Sequence, residues 1–447
     1  MNRFRTLVEK VLHSPTHWVM GITAAGMGFG LIFHVLLIPT RFGGSEAADA
    51  MIAALKVVLL VDTVVREGAK FSLVPLFVTE AQLRSSAEYQ RFTNGILNFS
   101  LGVGLVIFLL IEAFAPLIAN GLPMEMRAEM VTLLRICAPL VIFGCGSTIL
   151  GAFLNSQKRF KTVALRNALP PGMATAVFLL LWETENLAHW IAITYAGGFF
   201  VYFGWLCIGT HRTGHQYQLT WLSMDTLRSL KNTITLPTLG FAIRQGSARL
   251  LVEVYLVGQL GRGAITLYNS AFRIFSAVQT LIGISIATTG LPDMATPGVV
   301  DNMPKLKRTL HRNVCVVLLI ALPVTLLLLL SHTKILSLLY RGSKFDEGSI
   351  QQIARVLFWL STGMVFSCLI PVLNAGLYAQ KAYPLVFRNM VTMAVLNVSV
   401  AYGFVGAWGL PGIALAVSGT AVLAVLNLAY LLRKTGISFF AHALRRI

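Results

Sequence analysis

Charge is scarce in this 447-residue chain: 12% of residues are Asp, Glu, Lys or Arg, against 56% hydrophobic. Soluble domains carry about 25% charged residues, so the composition excludes a soluble protein. Acidic residues are the scarcer sign, 18 against 36 basic ones. Cysteine is limited to Cys137, Cys145, Cys207, Cys315 and Cys368. All five lie within or at the ends of apolar stretches, with no C-x-x-C pair or histidine cluster, so they read as small buried hydrophobes rather than metal or redox centres. Also missing are G-x-x-x-x-G-K-[ST], H-E-x-x-H and G-x-S-x-G, which leaves no motif for nucleotide hydrolysis, zinc chemistry or a serine nucleophile. The expectation is a protein that is not an enzyme, without metal or cofactor. Any transport would be driven by an ion gradient, the membrane potential or consumption of substrate on the far side.

Long apolar runs are present instead. About twelve are long enough to cross a bilayer core of about 30 Å. They lie near 16–38, 47–78, 93–119, 129–154, 162–182, 188–209, 232–257, 263–290, 311–331, 350–376, 384–406 and 410–432. Gly, Ala, Leu, Val and Phe fill them without a two-residue alternation, which predicts helices rather than a β-barrel. The basic start MNRFRTLVEKVLHSPTHW leads into the first run without an A-x-A-like cleavage site. That predicts a retained first helix with Ser14 and Pro15 at its start.

The net charge of +18 is distributed for topology rather than for nucleic acid. Lys and Arg favour, by about three to one, the loops on the side of both termini, which places the termini in the cytoplasm by the positive-inside rule. Groups such as Lys158, Arg159 and Lys161, or Lys305, Lys307 and Arg308, suit anionic phospholipid headgroups.

The chain repeats itself. GAFLNSQKRFKTVALRN at 151–167 resembles NAGLYAQKAYPLVFRN at 374–389, an offset close to half the chain, and RFGGSEAADAM at 41–51 parallels LGRGAITLYNS at 260–270. Two six-helix halves of the same orientation, related by an axis along the membrane normal, predict a transporter with a central cavity. The halves are placed at 1–219 and 233–447, with a cytoplasmic linker at 220–232 that suits an interfacial amphipathic helix. Gly43, Gly44, Gly261 and Gly263 fall in short periplasmic turns where backbone freedom suits rocking of the bundles.

Charge within the spans is concentrated on the early helices of each half. The second span carries Lys56, Asp62, Arg66, Glu67 and Lys70, the seventh Arg244, Arg249 and Glu253, and the eighth Arg273. A charge at membrane depth costs on the order of 3 kcal/mol on insertion scales and usually faces a partner or a watery cavity. Asp62 with Arg66, and Arg249 with Glu253, stand four apart and suit intrahelical pairing. Lys56, Arg244 and Arg273 are left in excess, and a planar guanidinium suits a phosphate or pyrophosphate oxygen cluster. Arg135, Arg166, Arg355 and Arg388 suit snorkelling near helix ends. His34, alone among apolar neighbours in the first span, suits packing, and Glu80 or Arg84 suit a latch across the cytoplasmic opening.

FGGSEAADAMIAALKVVLLVDTVVREGAKFSLVPLF, with its FG…DA start and EGA…VP end, is similar to the second-helix region of the MurJ (MviN) lipid II flippases. APLVIFGCGSTILGAFLNSQKRF (138–160), LYNSAFRIFSAVQTLIGISIATTGLP (267–292) and LLYRGSKFDE (338–347) continue the likeness in order along the chain. The chain thus resembles that branch of the multidrug/oligosaccharidyl-lipid/polysaccharide (MOP) exporter superfamily. The resemblance implies two six-helix bundles that flip a polyprenyl-pyrophosphate-linked saccharide to the periplasmic leaflet by alternating access. Arg273 matches the family's cavity arginine, Asp49 its acidic residue opening the second helix, and Glu67-Gly68-Ala69 its EGA. The family's first helix carries arginines where this chain reads MGFGLIFHVLL, its second has arginines where this one has VDTVV, and the family's thirteenth and fourteenth helices have no counterpart.

The expectation is therefore an all-α polytopic protein of the bacterial inner membrane, flipping an undecaprenyl-pyrophosphate-linked saccharide. Arg273, Arg244, Arg249, Arg66 and Lys56 are its pyrophosphate or cavity groups, and Asp49, Asp62, Glu67 and Glu253 its gating or charge-pairing groups. Coupling would be to the membrane potential or a monovalent ion, and envelope-synthesis glycosyltransferases are partners by analogy. A cation-coupled exporter of the same superfamily and a non-transporting scaffold are the alternatives.

Overall fold

The computed structural model describes residues 15–295 and 302–437; the expectation for residues 1–14 lies outside them. Every regular element among the described residues is helical. Apolar runs of this length leave the backbone no partner but itself, and the helix is the form that satisfies each N–H and C=O within one segment. Among the described residues seven helices are long and apolar enough to cross a membrane, nine if two bent pairs each count as one. The expectation of about twelve exceeds both numbers. Part of the difference lies in the charged second span, which is not among the seven. Another part lies in the 52-residue helix Tyr383–Lys434, which breaks at Gly409, where φ is 59°.

Two compact units divide the chain. The first comprises 1–41 and 46–238, the second 42–45 and 239–447. In the first unit, α1 runs Pro15–Leu31, continues through a π-helical stretch Ile32–Leu37 and ends at Ile38–Arg41. Then come α2 (Glu46–Leu83), α3 (Ser86–Ala119), α4 (Met124–Cys137), α5 (Leu140–Ser156), α6 (Phe160–Ala164), α7 (Leu169–Leu180) and α8 (Leu187–His211). Leu73 and Phe77 of α2, Phe92 and Ile96 of α3, Phe153 of α5 and Tyr202 and Leu206 of α8 build its core. The Phe77 ring meets Phe92 at 6.1 Å and Phe153 at 6.0 Å, both edge to face, the arrangement that ring quadrupoles favour.

The helix α9 (Met224–Gln245) starts in the first unit, enters the second at residue 239 and passes without interruption into a π-helical stretch Gly246–Leu256. It is followed by α10 (Ala264–Gln279), a π-helical turn Thr280–Ile284, α11 (Ser285–Ala295), α12 (Met303–Leu339), α13 (Glu347–Thr362), α14 (Met364–Ala379) and α15 (Tyr383–Lys434). The run 350–376, expected as one span, is two helices bent by 46° at Gly363. Ser418 explains the break. A Cβ on residue 363 would lie 2.5 Å from its Cα, and its hydroxyl, 2.6 Å from the Trp359 carbonyl and 3.2 Å from that of Leu360, satisfies acceptors near the break.

The internal repeat is visible in backbone geometry. Lys158 (φ 59°) and Lys381 (φ 56°) are the described non-glycine residues with positive φ, and they align in the repeat. Each follows a glutamine that closes its helix, Gln157 after α5 and Gln380 after α14. Arg159 N–H donates to Leu154 O at 2.9 Å and Lys158 N–H to Asn155 O at 3.0 Å; Ala382 donates to Leu377 at 3.0 Å and Lys381 to Tyr378 at 2.9 Å. Both ends are Schellman motifs, built with lysine at the left-handed position that glycine usually takes.

Three of the five cysteines are buried as expected, but Cys207 and Cys315 are exposed. A membrane explains this: a small apolar side chain loses nothing by facing lipid.

Candidate functional site

In the first unit the site is built on α2, whose inward face carries ionisable groups where its neighbours carry methyls. Lys56 and Asp62 are buried, and Asp49, in the first turn, is fully so. Asp62 does not pair with Arg66, as the four-residue spacing suggested. It is ion-paired and hydrogen-bonded to Arg166, from the 3₁₀ turn Leu165–Asn167 between α6 and α7. Arg66 instead lies 3.4 Å from Glu67, its neighbour in sequence. Arg166 therefore does not snorkel: its side chain is 9% exposed and that of Asp62 6%.

The surroundings explain the choice of partner. The Arg166 guanidinium lies 5.5 Å from the centre of the Phe199 ring and 6.0 Å from that of Tyr202, so π faces as well as a carboxylate offset its desolvation. Tyr202 is itself fixed, its hydroxyl donating to Val163 O at 2.9 Å. Gly144 of α5 makes the room, since a Cβ there would approach Asp62 Oδ1 to 2.6 Å. Removal of both charges from water is costly, so the pair persists only because each is met by the other.

In the second unit the expected cavity groups lie on its first two helices. Arg244 is in the last turn of α9, Arg249 and Glu253 are in the π-helical stretch that follows, and Arg273 is on α10. The three arginines are half-buried and Glu253 is buried. Sequence spacing did not foresee the π-helix. Its i→i+5 bonding widens the turn, so residues five apart, rather than four, fall over one another. The repeat offset that aligns Arg41 with Leu260 also aligns His34 with Glu253. Both are buried, and both sit in π-helical stretches of the first helix of their unit. Such stretches recur at functional sites because they replace regular packing with a locally adjustable one. Leu251, Tyr255 and Leu256, with Val398, Ser399 and Tyr402 of α15, line a groove of about 380 Å³, mostly apolar, in the same unit.

The turn Phe42–Ser45 belongs to the second unit. There Gly263, at φ 80° and capping α10, meets Gly44 so closely that a Cβ on residue 263 would lie 2.8 Å from the Gly44 carbonyl oxygen. Expected as a latch, Glu80 in the last turn of α2 and Arg84 just past its end are bonded to each other. Arg135 lies 3.7 Å from Glu112 with its side chain half exposed, and Arg355 and Arg388 are exposed. Among the described residues no three His, Cys, Asp or Glu side chains are grouped to hold a metal.

A family model described as "Lipid II flippase MurJ" matches residues 38–446. The chain belongs to the MurJ lipid II flippase family. It is 25% identical to the lipid II flippase MurJ of Burkholderia cenocepacia over 98% of this chain and 85% of that one. To the probable lipid II flippase MurJ of Thermotoga maritima it is also 25% identical, over 87% and 79%. Among solved structures, the inward closed conformation of lipid II flippase MurJ superposes with a TM-score of 0.81 at 20% identity, covering 93% of this chain and 87% of that one. An inward-facing multidrug resistance MATE transporter of the MOP superfamily superposes at 0.78 and 13% identity, covering 93% and 94%. Both likenesses concern the fold. It is the MOP-superfamily fold, in a multi-pass membrane protein.

Proposed function

We propose that this protein translocates a polyprenyl-pyrophosphate-linked saccharide of the lipid II class across the bacterial inner membrane by alternating access. The observation that carries the reading is the family match over residues 38–446. The chemistry agrees with it. Arg244, Arg249 and Arg273 concentrate guanidinium groups on the first two helices of the second unit, and such planar donors bind phosphate oxygens bidentately. Nothing in the transfer needs a bond to form or break. The residues bind, release and bind again, and the direction comes from the membrane potential or a monovalent ion gradient.

The multidrug-exporter reading shares the fold but not the family. Retaining an anionic headgroup would fall to Arg273 and Arg244, while Asp49 and Glu67 tune the local field. Both termini are placed on the cytoplasmic side by the distribution of Lys and Arg. Envelope-synthesis glycosyltransferases, which consume the flipped product, are the partners this reading supplies.

The test is transport of fluorescent lipid II in proteoliposomes, read by its accessibility to a membrane-impermeant reagent. Protein-dependent movement lost in Arg273→Ala supports the proposal. Movement of a cationic drug but not of lipid II refutes it.

A further inference from the structure

Residues 212–223 follow α8 and lead into α9, and from His215 to Ser223 they form no regular element. This coil is nonetheless held at fixed points. Asn94 Nδ2 of α3 donates to Gln216 O at 2.9 Å, and one turn on, Asn98 Nδ2 donates to Thr220 O at 2.9 Å. The two amide oxygens are used as well. His215 Nε2 lies 2.8 Å from Asn94 Oδ1, and the Tyr217 hydroxyl donates to Asn98 Oδ1 at 2.8 Å. An amide oxygen only accepts, so His215 carries a proton on Nε2. Thr220 Oγ1 adds a bond to Arg91 O at 3.2 Å, and Leu222 lies over Gly95, 3.1 Å from where a Cβ would be. Asn94 is fully buried and Asn98 nearly so.

The strapped coil turns Leu222 inward, yet it holds other large apolar side chains outward. Tyr217 is 60% exposed, Leu219 73%, Trp221 78% and Met224 69%. Leu83 and Phe160, in the neighbouring turns, are exposed too. Cations surround them. Arg159 Nη2 donates to Arg212 O at 3.4 Å, the Arg84 guanidinium lies over Phe92 of α3, and Arg91, Lys158, Lys161 and Arg212 are exposed. The nearby acids are engaged: Glu80 by Arg84, and Glu88 by Ser85 in the capping box that starts α3.

We propose that this end of the first unit is a seat for anionic phospholipid. Tyr217, Leu219 and Trp221 enter the headgroup and upper acyl region, while Arg91, Lys158, Arg159, Lys161 and Arg212 take the phosphates. An aromatic and aliphatic cluster rimmed by cations has the charge and amphipathicity of a membrane-interface anchor. The asparagine ladder holds the coil so that the anchor is preformed. Anionic lipid then binds without an ordering cost, and the chain from α8 to the start of α9 is fixed to the bilayer surface. The inference is independent of what the protein transports.

The asparagines engage carbonyls of the coil rather than its N–H groups, so amide exchange reports directly on what covers it. The experiment uses the full chain in nanodiscs of phosphatidylcholine, with or without phosphatidylglycerol. Exchange of the peptide spanning 212–224 should slow by roughly five-fold or more with phosphatidylglycerol, and brominated phosphatidylglycerol should quench Trp221 fluorescence, measured as the difference from Trp221→Phe. Trp221→Ser and Lys158→Gln/Lys161→Gln, all at exposed positions, should each lose much of the protection while the protein stays folded. Equal exchange in the two lipids, or protection undiminished in these variants, overturns the proposal. Slowing that needs an added membrane-protein fraction and is absent in lipid alone overturns it in favour of a protein partner.

Discussion

Replacement of Asp62 by asparagine should strike a deeply buried ion pair of the first unit. It keeps the size of the side chain and removes the charge that Arg166 faces at 9% side-chain exposure. Loss of one member of a buried pair costs about 3–5 kcal/mol, because the remaining charge is desolvated without compensation. The rings of Phe199 and Tyr202 retain part of the cation's stabilisation, so the lower half of that interval is expected. For a unit of this size each kcal/mol moves the unfolding midpoint by about 2–4 °C, which gives a fall of roughly 6–16 °C.

The assay is thermal unfolding of the purified protein in detergent, followed by tryptophan fluorescence at fixed heating rate. Two companions make the argument refutable. Glu80→Gln breaks an ion pair whose arginine side chain is 36% exposed, and should cost no more than about 1 kcal/mol. Asp62→Asn/Arg166→Met removes both buried charges and should recover most of the loss, since an apolar substitute for a whole buried pair is often neutral. If Asp62→Asn falls no further than Glu80→Gln, or the double variant is as unstable as the worse single one, the pair does not hold α2 to the turn before α7.

Other expectations can be checked with the same preparations. Gly144→Ala should destabilise by about 1–3 kcal/mol, because its Cβ would lie 2.6 Å from Asp62 Oδ1 in a packed interior; thermal unfolding measures it. Lys158→Gly and Lys381→Gly should each stabilise by up to about 1 kcal/mol, since both lysines hold a left-handed φ that glycine adopts without penalty; unchanged midpoints in both would refute the strain argument. Arg244→Ala combined with Arg249→Ala should abolish most lipid II transport in proteoliposomes at unchanged stability; wild-type rates would remove both from the site. Burial pushes His215 below the usual histidine range, so the unfolded form binds more protons as the pH falls. The anchoring of 212–223 that depends on neutral His215 is complete above about pH 6.5 and weakens as the pH drops below it; faster amide exchange there at pH 5 than at pH 7.5, flattened in His215→Gln, is the expected result.

Much of this architecture could be read from the chain because the signals are repeated or long. The helical class followed from apolar length. The repeat followed from two matching stretches, and it marked Gln157-Lys158 and Gln380-Lys381, which close α5 and α14 with the same backbone motif. Partners distant in sequence were harder. Asp62 has Arg66 one turn away, and spacing alone favoured that pair. What spacing cannot weigh is that Arg166 comes from a 3₁₀ turn beside Tyr202 and opposite Gly144, where only a paired carboxylate can be tolerated. The repeat had already singled out Arg166-Asn167, as it did Arg388-Asn389 in the second half. There the arginine is exposed, and the asparagine is bonded to Asn427 at 2.8 Å.

That divergence explains why the two halves do not read alike. In the first unit the aligned arginine is turned inward to neutralise α2, so the charge on α2 is consumed by structure. In the second unit Arg388 leaves the interior, and Arg244, Arg249 and Arg273 stand on the first two helices without an acidic group of equal number beside them in sequence. The excess positive charge of the repeat therefore resides in the second unit, on helices loosened by π-helical stretches at Gly246–Leu256 and Thr280–Ile284. A π-helical turn wastes packing unless something is gained from its adjustability. The proposed binding of a diphosphate by these arginines on one side of a membrane and its release on the other would gain from it, since a small change of helical register redirects a long side chain without moving the rest of the bundle.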